Sequence, residues 1–428
     1  DWSIENILTK GEGQTLDRAS WKNLLNEMKR LGFRIVQTEW HHSRFKPQGT
    51  GAARSVITAT LHAKKEGSSE TLIIKGDLHV EWKMRASEEK KPRVNVIDAR
   101  EMSVLRRRGA PAFEEAMAID FGDNSTAEFV VLVSDLDQDG LCDVLLLGPN
   151  LFLRNRGEWR FDREKLLADP IPNLRAGVVG DFNCDGRLDL LVANHEQVAL
   201  YVADENNKFS TPCKTVEALV GVQFPSVISA GDIDGDGDLD AWLGQYKLPY
   251  VGGQMPTPFY DANDGYPSFL LLNDGKGSFV DATERSGLGG KRRRRVYSAS
   301  FVDVDGDRDL DLITANDFAG IDIFANDGRG RFSDVTEALV DDRHCFGMSL
   351  TFGDYDLDGK FDIFITGMGS TTARRLDDLG LNREGFAMHA KMRQRMAYGN
   401  RMYLDRGATF RQPDFKDQVA RTGWSWGT

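Results

Sequence analysis

The sequence lacks any apolar run near the roughly 18 residues that a membrane-spanning helix needs, so no membrane span is expected. It has four cysteines in 428 residues, Cys142, Cys184, Cys213 and Cys345, and no two form a C-x-x-C pair. They are too few for a disulfide framework and read as isolated thiols. No nucleophile elbow, metalloprotease helix or phosphate-binding loop is present, so the common hydrolytic and phosphoryl-transfer routes have no motif behind them. A leader-type N-terminal segment is also missing, which implies a mature form, a fragment or a cytosolic chain. The net charge of −12 argues against nucleic acid as a partner.

Much of that negative charge sits in short clusters after residue 130, a pattern of metal ligands rather than of a solvating tail. One nine-residue pattern, D-x-[D/N]-x-D-x-x-x-D, occurs five times. Its side-chain oxygens come from positions one, three, five and nine. They are Asp135, Asp137, Asp139 and Asp143; Asp181, Asn183, Asp185 and Asp189; Asp232, Asp234, Asp236 and Asp240; Asp303, Asp305, Asp307 and Asp311; and Asp354, Asp356, Asp358 and Asp362. Position seven adds a backbone carbonyl, from Leu141, Arg187, Asp238, Asp309 and Lys360. An all-oxygen set of flexible number suits a hard ion taking 6–8 ligands, so Ca²⁺ is expected, about one per repeat. At millimolar calcium each site contributes roughly 0.5–2 kcal/mol to stability.

Short apolar runs flank every cluster, and a third run leads through a turn such as N-D-G-K-G-S at Asn273 or N-D-G-R-G-R at Asn326 into a fourth. Four short strands per repeat predict the blades of a β-propeller. Position six is glycine in four loops and Arg308 in the fourth. If that position requires a positive φ, a non-glycine costs about 1 kcal/mol, and the fourth site is expected to be the most strained or the weakest.

These loops resemble the FG-GAP/VCBS repeats of integrin α-chain propellers, and are most similar to bacterial relatives of the cartilage acidic protein family. The resemblance covers about residues 129–428 and extends to P-T-P-F-Y-D-A-N-D-G from Pro256, G-M-S at Gly347, G-N-R-M-Y at Gly399 and W-S-W-G-T at Trp424. It implies an extracytoplasmic propeller, commonly seven-bladed, that serves adhesion or binding. The last of these motifs matches the strand before a sixth Asp loop. The expectation is therefore five blades and the start of a sixth, completed by a longer chain or by a partner.

Residues 1–118 have no Asp loops and predict a separate α+β domain ahead of a propeller at 119–428. A helix is expected over 15–31, with Leu16, Trp21, Leu24, Leu25 and Met28 in an apolar stripe. Strands are expected near 33–45, 54–64, 71–84 and 93–107, forming a curved antiparallel sheet similar to part of a nuclear-transport-factor-like cone. His41, His42, Asp77 and His79 read as a solvated strand face rather than a site.

Strand parity carries the functional reading. Within a blade, the 1–2 and 3–4 connections share one face, and the 2–3 and 4–1 connections share the other. The Asp loops are all 1–2 connections. The long insertions 245–266 and 367–399 (2–3) and 288–296 and 341–346 (4–1) all fall on the opposite face, where binding is expected. Candidate contacts there are Tyr246, Tyr250, Phe259, Tyr260 and Tyr266, and the cations Arg292, Arg293, Arg294 and Arg295. A helix over 383–397 should pack down Met388, Met392 and Met396. The reading is a non-catalytic recognition or assembly module for a protein or glycan. The alternative is a propeller-fold polysaccharide lyase or hydrolase at the same face, for which only His344, Cys345, His389 and nearby arginines are on offer.

Overall fold

The computed structural model describes residues 4–8, 13–47, 52–83, 93–110, 113–115, 117–118, 130–209, 214–217, 219–248, 255–382 and 384–420. Cys213, Tyr250, residue 383 and the strand expected at 424–428 lie outside the described residues. Two compact units emerge, one of Asp1–Ala118 with Ser370–Ala387, the other of Ile119–Gly369 with Met388–Thr428. Ser370–Ala387 departs from expectation. Sequence order places it among the propeller loops, yet its helix Thr371–Asp378 packs along strand Phe33–Lys46 of the first unit. There Arg44 pairs with Asp378 at 3.3 Å. An insertion joins whichever core accepts it, and chain position does not decide which.

In the first unit, helix Arg18–Arg30 starts where the Asp17 side chain accepts the Ser20 amide at 2.7 Å, an N-cap. Strands Phe33–Lys46, Arg54–Lys65, Thr71–Trp82 and Val94–Arg107 form an antiparallel meander, and Ile4–Leu8 adds to the last of them. Register shifts at Ile35/Gln37, His42/Arg44 and Asp77/His79 mark bulges, which bend the sheet. The helix stripe is not buried as expected: Leu16, Trp21, Leu24 and Leu25 are exposed. The histidines do not assemble into a site. His79 meets Glu101 at 2.9 Å, Asp77 accepts from Thr58 at 2.6 Å, and His41 lies 3.9 Å from Glu39.

Among the described residues the second unit holds five four-stranded antiparallel sheets, each running in chain order. Blade one is Val131–Ser134, Asp143–Leu146, Leu151–Asn155 and Phe161–Lys165. Blade two is Ala176–Gly180, Asp189–Ala193, Val198–Tyr201 and Lys214–Thr215. Blade three is Pro225–Gly231, Asp240–Gln245, Phe269–Leu272 and Val280–Asp281. Blade four is Arg295–Val302, Asp311–Asp317, Gly320–Asn326 and Phe332–Asp334, and blade five Gly347–Gly353, Asp362–Gly367, Arg401–Asp405 and Phe410–Arg411. Every Asp loop joins a first strand to a second.

The core lies between blades. Leu145 and Phe152 of blade one pack with Leu190 and Tyr201 of blade two, and Leu191 and Leu200 with Leu243 and Phe269 of blade three. Trp242 and Leu270 then meet Leu312 and Phe324, and Ile313 and Ile323 meet Ile363 and Tyr403. Gly180 ends the first strand of blade two because a Cβ there would stand 2.7 Å from Leu239 Cδ1 of blade three. Gly231 plays the same part for Leu310, at 2.8 Å. Close approach of whole sheets thus depends on a missing methyl group.

Candidate metal centres and the opposite loop face

Each acidic loop is wound by its own carboxylates. The position-one Asp accepts backbone amides from within the loop: Asp135 takes those of Asp139 and Gly140 at 3.0 and 2.9 Å, and Asp354 those of Asp358 and Gly359 at 2.9 and 3.0 Å. The position-nine Asp has a separate task. Asp143, Asp189, Asp240, Asp311 and Asp362 are each at most 1% exposed. Each accepts the position-two amide and a second amide where the third strand ends; for Asp240 these are Ile233 at 3.3 Å and Asn273 at 2.9 Å. Position nine therefore pins the loop to the sheet, and in loops three, four and five it also belongs to the converging carboxylates.

Position six has φ between 79° and 93° in all five loops, Arg308 included. Position four is left-handed too: Gln138, Cys184, Gly235, Gly306 and Leu357 have φ from 57° to 82°. The sequence hinted at this only through Gly235 and Gly306. The condition set for the fourth loop is met, because Arg308 is the one non-glycine at position six and has φ 79°. Strain is not confined to that loop: its position four is Gly306, whereas loops one, two and five each hold one non-glycine at position four. Loop three alone has glycine at both places.

Carboxylate oxygens converge in four loops. Asp135, Asp137 and Asp139; Asp232, Asp234 and Asp240; Asp303, Asp305 and Asp311; and Asp354, Asp356 and Asp362 each offer ligand atoms within 4.8 Å of one another. In loop two, Asn183 replaces a carboxylate and donates to Asp185 at 3.0 Å. Burial pushes the carboxyls of Asp189 and Asp311 up to about 6 and that of Asp240 to about 7. Asp137 Oδ1 and Asp234 Oδ1 are buried with no hydrogen-bond partner. Oxygen-only donors, mutual crowding and orphaned acceptors fit a hard divalent cation. It would sit among positions one, three, five and nine and neutralise carboxylates that burial otherwise drives toward protonation.

The opposite face differs from expectation in its basic run. Arg294 and Arg295 are 4% and 2% exposed. Arg295 grips Asp264 with two bonds of 2.9 Å, and Arg294 meets Asp322 at 2.9 Å and Asp261 at 2.7 Å. Arg292 pairs with Glu284 at 3.0 Å and Asp281 at 3.4 Å, and Lys291 with Asp322 and Asp334, both at 2.6 Å. Arg293 is exposed and reaches the Gly265 carbonyl at 3.5 Å. The run is therefore internal structure and not a free basic patch. The segment from Pro256 supplies its counter-ions, and Gly265 lies so close that a Cβ would be 2.8 Å from the Arg294 carbonyl.

Tyr246 is also withdrawn from any ligand. It is 3% exposed, stacks on Tyr297 with ring centres 4.2 Å apart and donates to Asp317 at 3.0 Å. Phe259, Tyr260 and Tyr266 are half-buried. Phe259 and Tyr260 group edge-on around His389, with ring centres 4.9 and 5.8 Å away. His389 lies on helix Ala387–Met396, where Met392 and Met396 are buried as expected but Met388 is exposed. The His344 ring nitrogen is bonded to Asp342 at 3.2 Å, and burial pushes the Cys345 thiol up to about 12.

A family model for FG-GAP-like repeats matches residues 135–192, 181–243 and 303–365. These stretches, less than half of the chain, are similar to FG-GAP-like repeats. Each match runs from one acidic loop through the next, and together with the four-stranded sheets they support an FG-GAP β-propeller. Among solved structures, an Agrocybe aegerita lectin described for recognition of non-reducing terminal N-acetylglucosamine is 15% identical at a TM-score of 0.44, covering 91% of this chain and 83% of that one. The Photorhabdus luminescens Tc holotoxin pore is 15% identical at 0.33, covering 78% of this chain and 14% of that one. A Bacteroides uniformis protein described as a candidate 6-phosphogluconolactonase is 10% identical at 0.34, covering 88% and 95%. At such scores these likenesses do not bear on what the chain binds. No curated protein matches it. None of its described helices is long and apolar enough to cross a membrane.

The acidic loops also show side-chain contacts that the sequence did not single out. Arg154 lies against Asp137, Arg187 meets Asp185 at 2.5 Å and Arg406 meets Asp356 at 2.8 Å. Arg154 and Arg406 stand at the ends of third strands, 17 and 50 residues along the chain from their partners, and no local signal ties them to the loops.

Proposed function

We propose that the chain is a non-catalytic, calcium-stabilised FG-GAP-type propeller, acting outside the cytoplasm, that recognises a protein or glycan through the loops opposite its acidic face. The observation that carries the calcium reading is the convergence of three carboxylates within 4.8 Å in four separate loops. Like charges so close repel one another, and binding an ion to the folded form alone repays that cost. Recognition draws support from the half-exposed aromatic group of Phe259, Tyr260 and His389 on the long insertions.

Two measurements on the full chain test this. Calorimetry should show that chelation lowers the melting of the five blades and leaves residues 1–118 unmoved, the segments being told apart by hydrogen exchange. Unchanged melting would reject calcium stabilisation. An immobilised glycan panel should retain the wild-type chain and lose a Phe259→Ser/Tyr260→Ser variant. Turnover of a panel polysaccharide would instead favour the lyase or hydrolase reading.

A further inference from the structure

We infer that the five loops are unequal cation sites: those of blades three and four bind tightly, and in blades one, two and five an arginine of this chain competes with the ion. This rests on the calcium reading above. In blade one the Arg154 guanidinium contacts Asp137 and is anchored from behind by Glu164 at 3.1 Å. Its side chain is 13% exposed, so it has little room to swing away. In blade two Arg187 holds Asp185 at 2.5 Å, and Asn183 leaves that loop one carboxylate short. In blade five Arg406 bridges Asp356 at 2.8 Å and Asp358 at 3.9 Å.

Blades three and four contrast on two counts. Each carries a fifth aspartate at position seven, Asp238 and Asp309. None of the described lysines or arginines is ion-paired with any aspartate of these two loops. Asp238 is 6% exposed, and its Oδ1 is without a hydrogen-bond partner, as is Asp234 Oδ1. A guanidinium bound to a ligand carboxylate takes up a lone pair and repels the incoming divalent charge. At separations near 5 Å this weakens affinity by about tenfold or more. Blade two, with an arginine and the fewest carboxylates, is the weakest. Blade five is weakened less than blade one, because Arg406 is 46% exposed and free to move aside.

Isothermal titration of the chelator-stripped full chain with calcium chloride tests the inference. The expected isotherm has two tight sites, with the remainder at least about tenfold weaker. Arg154→Met and Arg406→Met should each move one weak site into the tight class, and Asp234→Asn should remove one tight site. Should Arg154→Met fail to fold, Arg406→Met, at an exposed position, still reads the effect. Five equal sites, or arginine variants whose isotherms superimpose on wild type, overturn the inequality while leaving calcium in place. Absence of both heat and any shift in melting removes the inequality and the calcium reading together.

Discussion

The side-chain amide of Asn273 in blade three donates to the Phe182 carbonyl of blade two at 2.8 Å, and also to the Leu239 carbonyl of its own loop at 3.1 Å. Asn326 repeats the arrangement one blade on, with Ile233 at 2.7 Å and Leu310 at 3.1 Å. Each asparagine thus ties two neighbouring acidic loops through their backbone carbonyls, of which Ile233 also accepts the Gly330 amide at 3.1 Å. Replacing either by Ala is expected to cost about 1–3 kcal/mol, the penalty of leaving buried acceptors unmet. Urea midpoints measure this, and a midpoint equal to wild type would show that water replaces the amide.

Left-handed residues set the strain of individual loops. Arg308 has φ 79° and Leu357 φ 60°. Arg308→Gly and Leu357→Gly are each expected to stabilise by roughly 0.5–1 kcal/mol, while Gly237→Ala destabilises by a similar amount. Thermal melts in saturating calcium compare them. Destabilisation by Arg308→Gly would mean that its side chain contributes more than its backbone costs.

The buried carboxylate of Asp322 is shared by Lys291 at 2.6 Å, Arg294 at 2.9 Å, Arg343 at 3.4 Å and the Asn316 amide at 3.0 Å. Asp322→Ala leaves these cations uncompensated and is expected to cost about 3–5 kcal/mol. Converting Arg292–Arg295 to Ser should likewise unfold the insertion face. The sequence alone reads these cations as ligand contacts on a binding face. Near-UV circular dichroism and melting settle the matter, and a native-like variant would show that the ion pairs are dispensable.

Burial raises the Asp317 carboxyl from its ordinary 3.8 to about 7, with the Tyr246 hydroxyl and the nearby Arg295 pulling the other way. Between about pH 4 and 7 the folded state keeps a proton that the unfolded state has released, so stability falls as pH rises across that window and is level above it. Asp317→Asn should lose less melting temperature than wild type between pH 5 and 7.5 with calcium saturating. Parallel curves would show that this carboxyl does not titrate there.

What the sequence determined by itself is what local chemistry encodes: five loops of fixed acid spacing, four strands around each, the switch to an α+β pattern before residue 119, and the parity that sends the long insertions to one face. Those features need only a side-chain period, a turn residue or a ligand spacing, all contained within a few neighbouring positions. Only the tertiary structure decided that Arg294 and Arg295 serve Asp322, Asp261 and Asp264, that Tyr246 is buried against Tyr297, that Ser370–Ala387 belongs to the first unit, and that Arg154 and Arg406 reach acidic loops. The reason is physical. A cation's partner is whichever carboxylate packing brings within about 3–4 Å, and residues far apart in the chain meet only when blades close on one another.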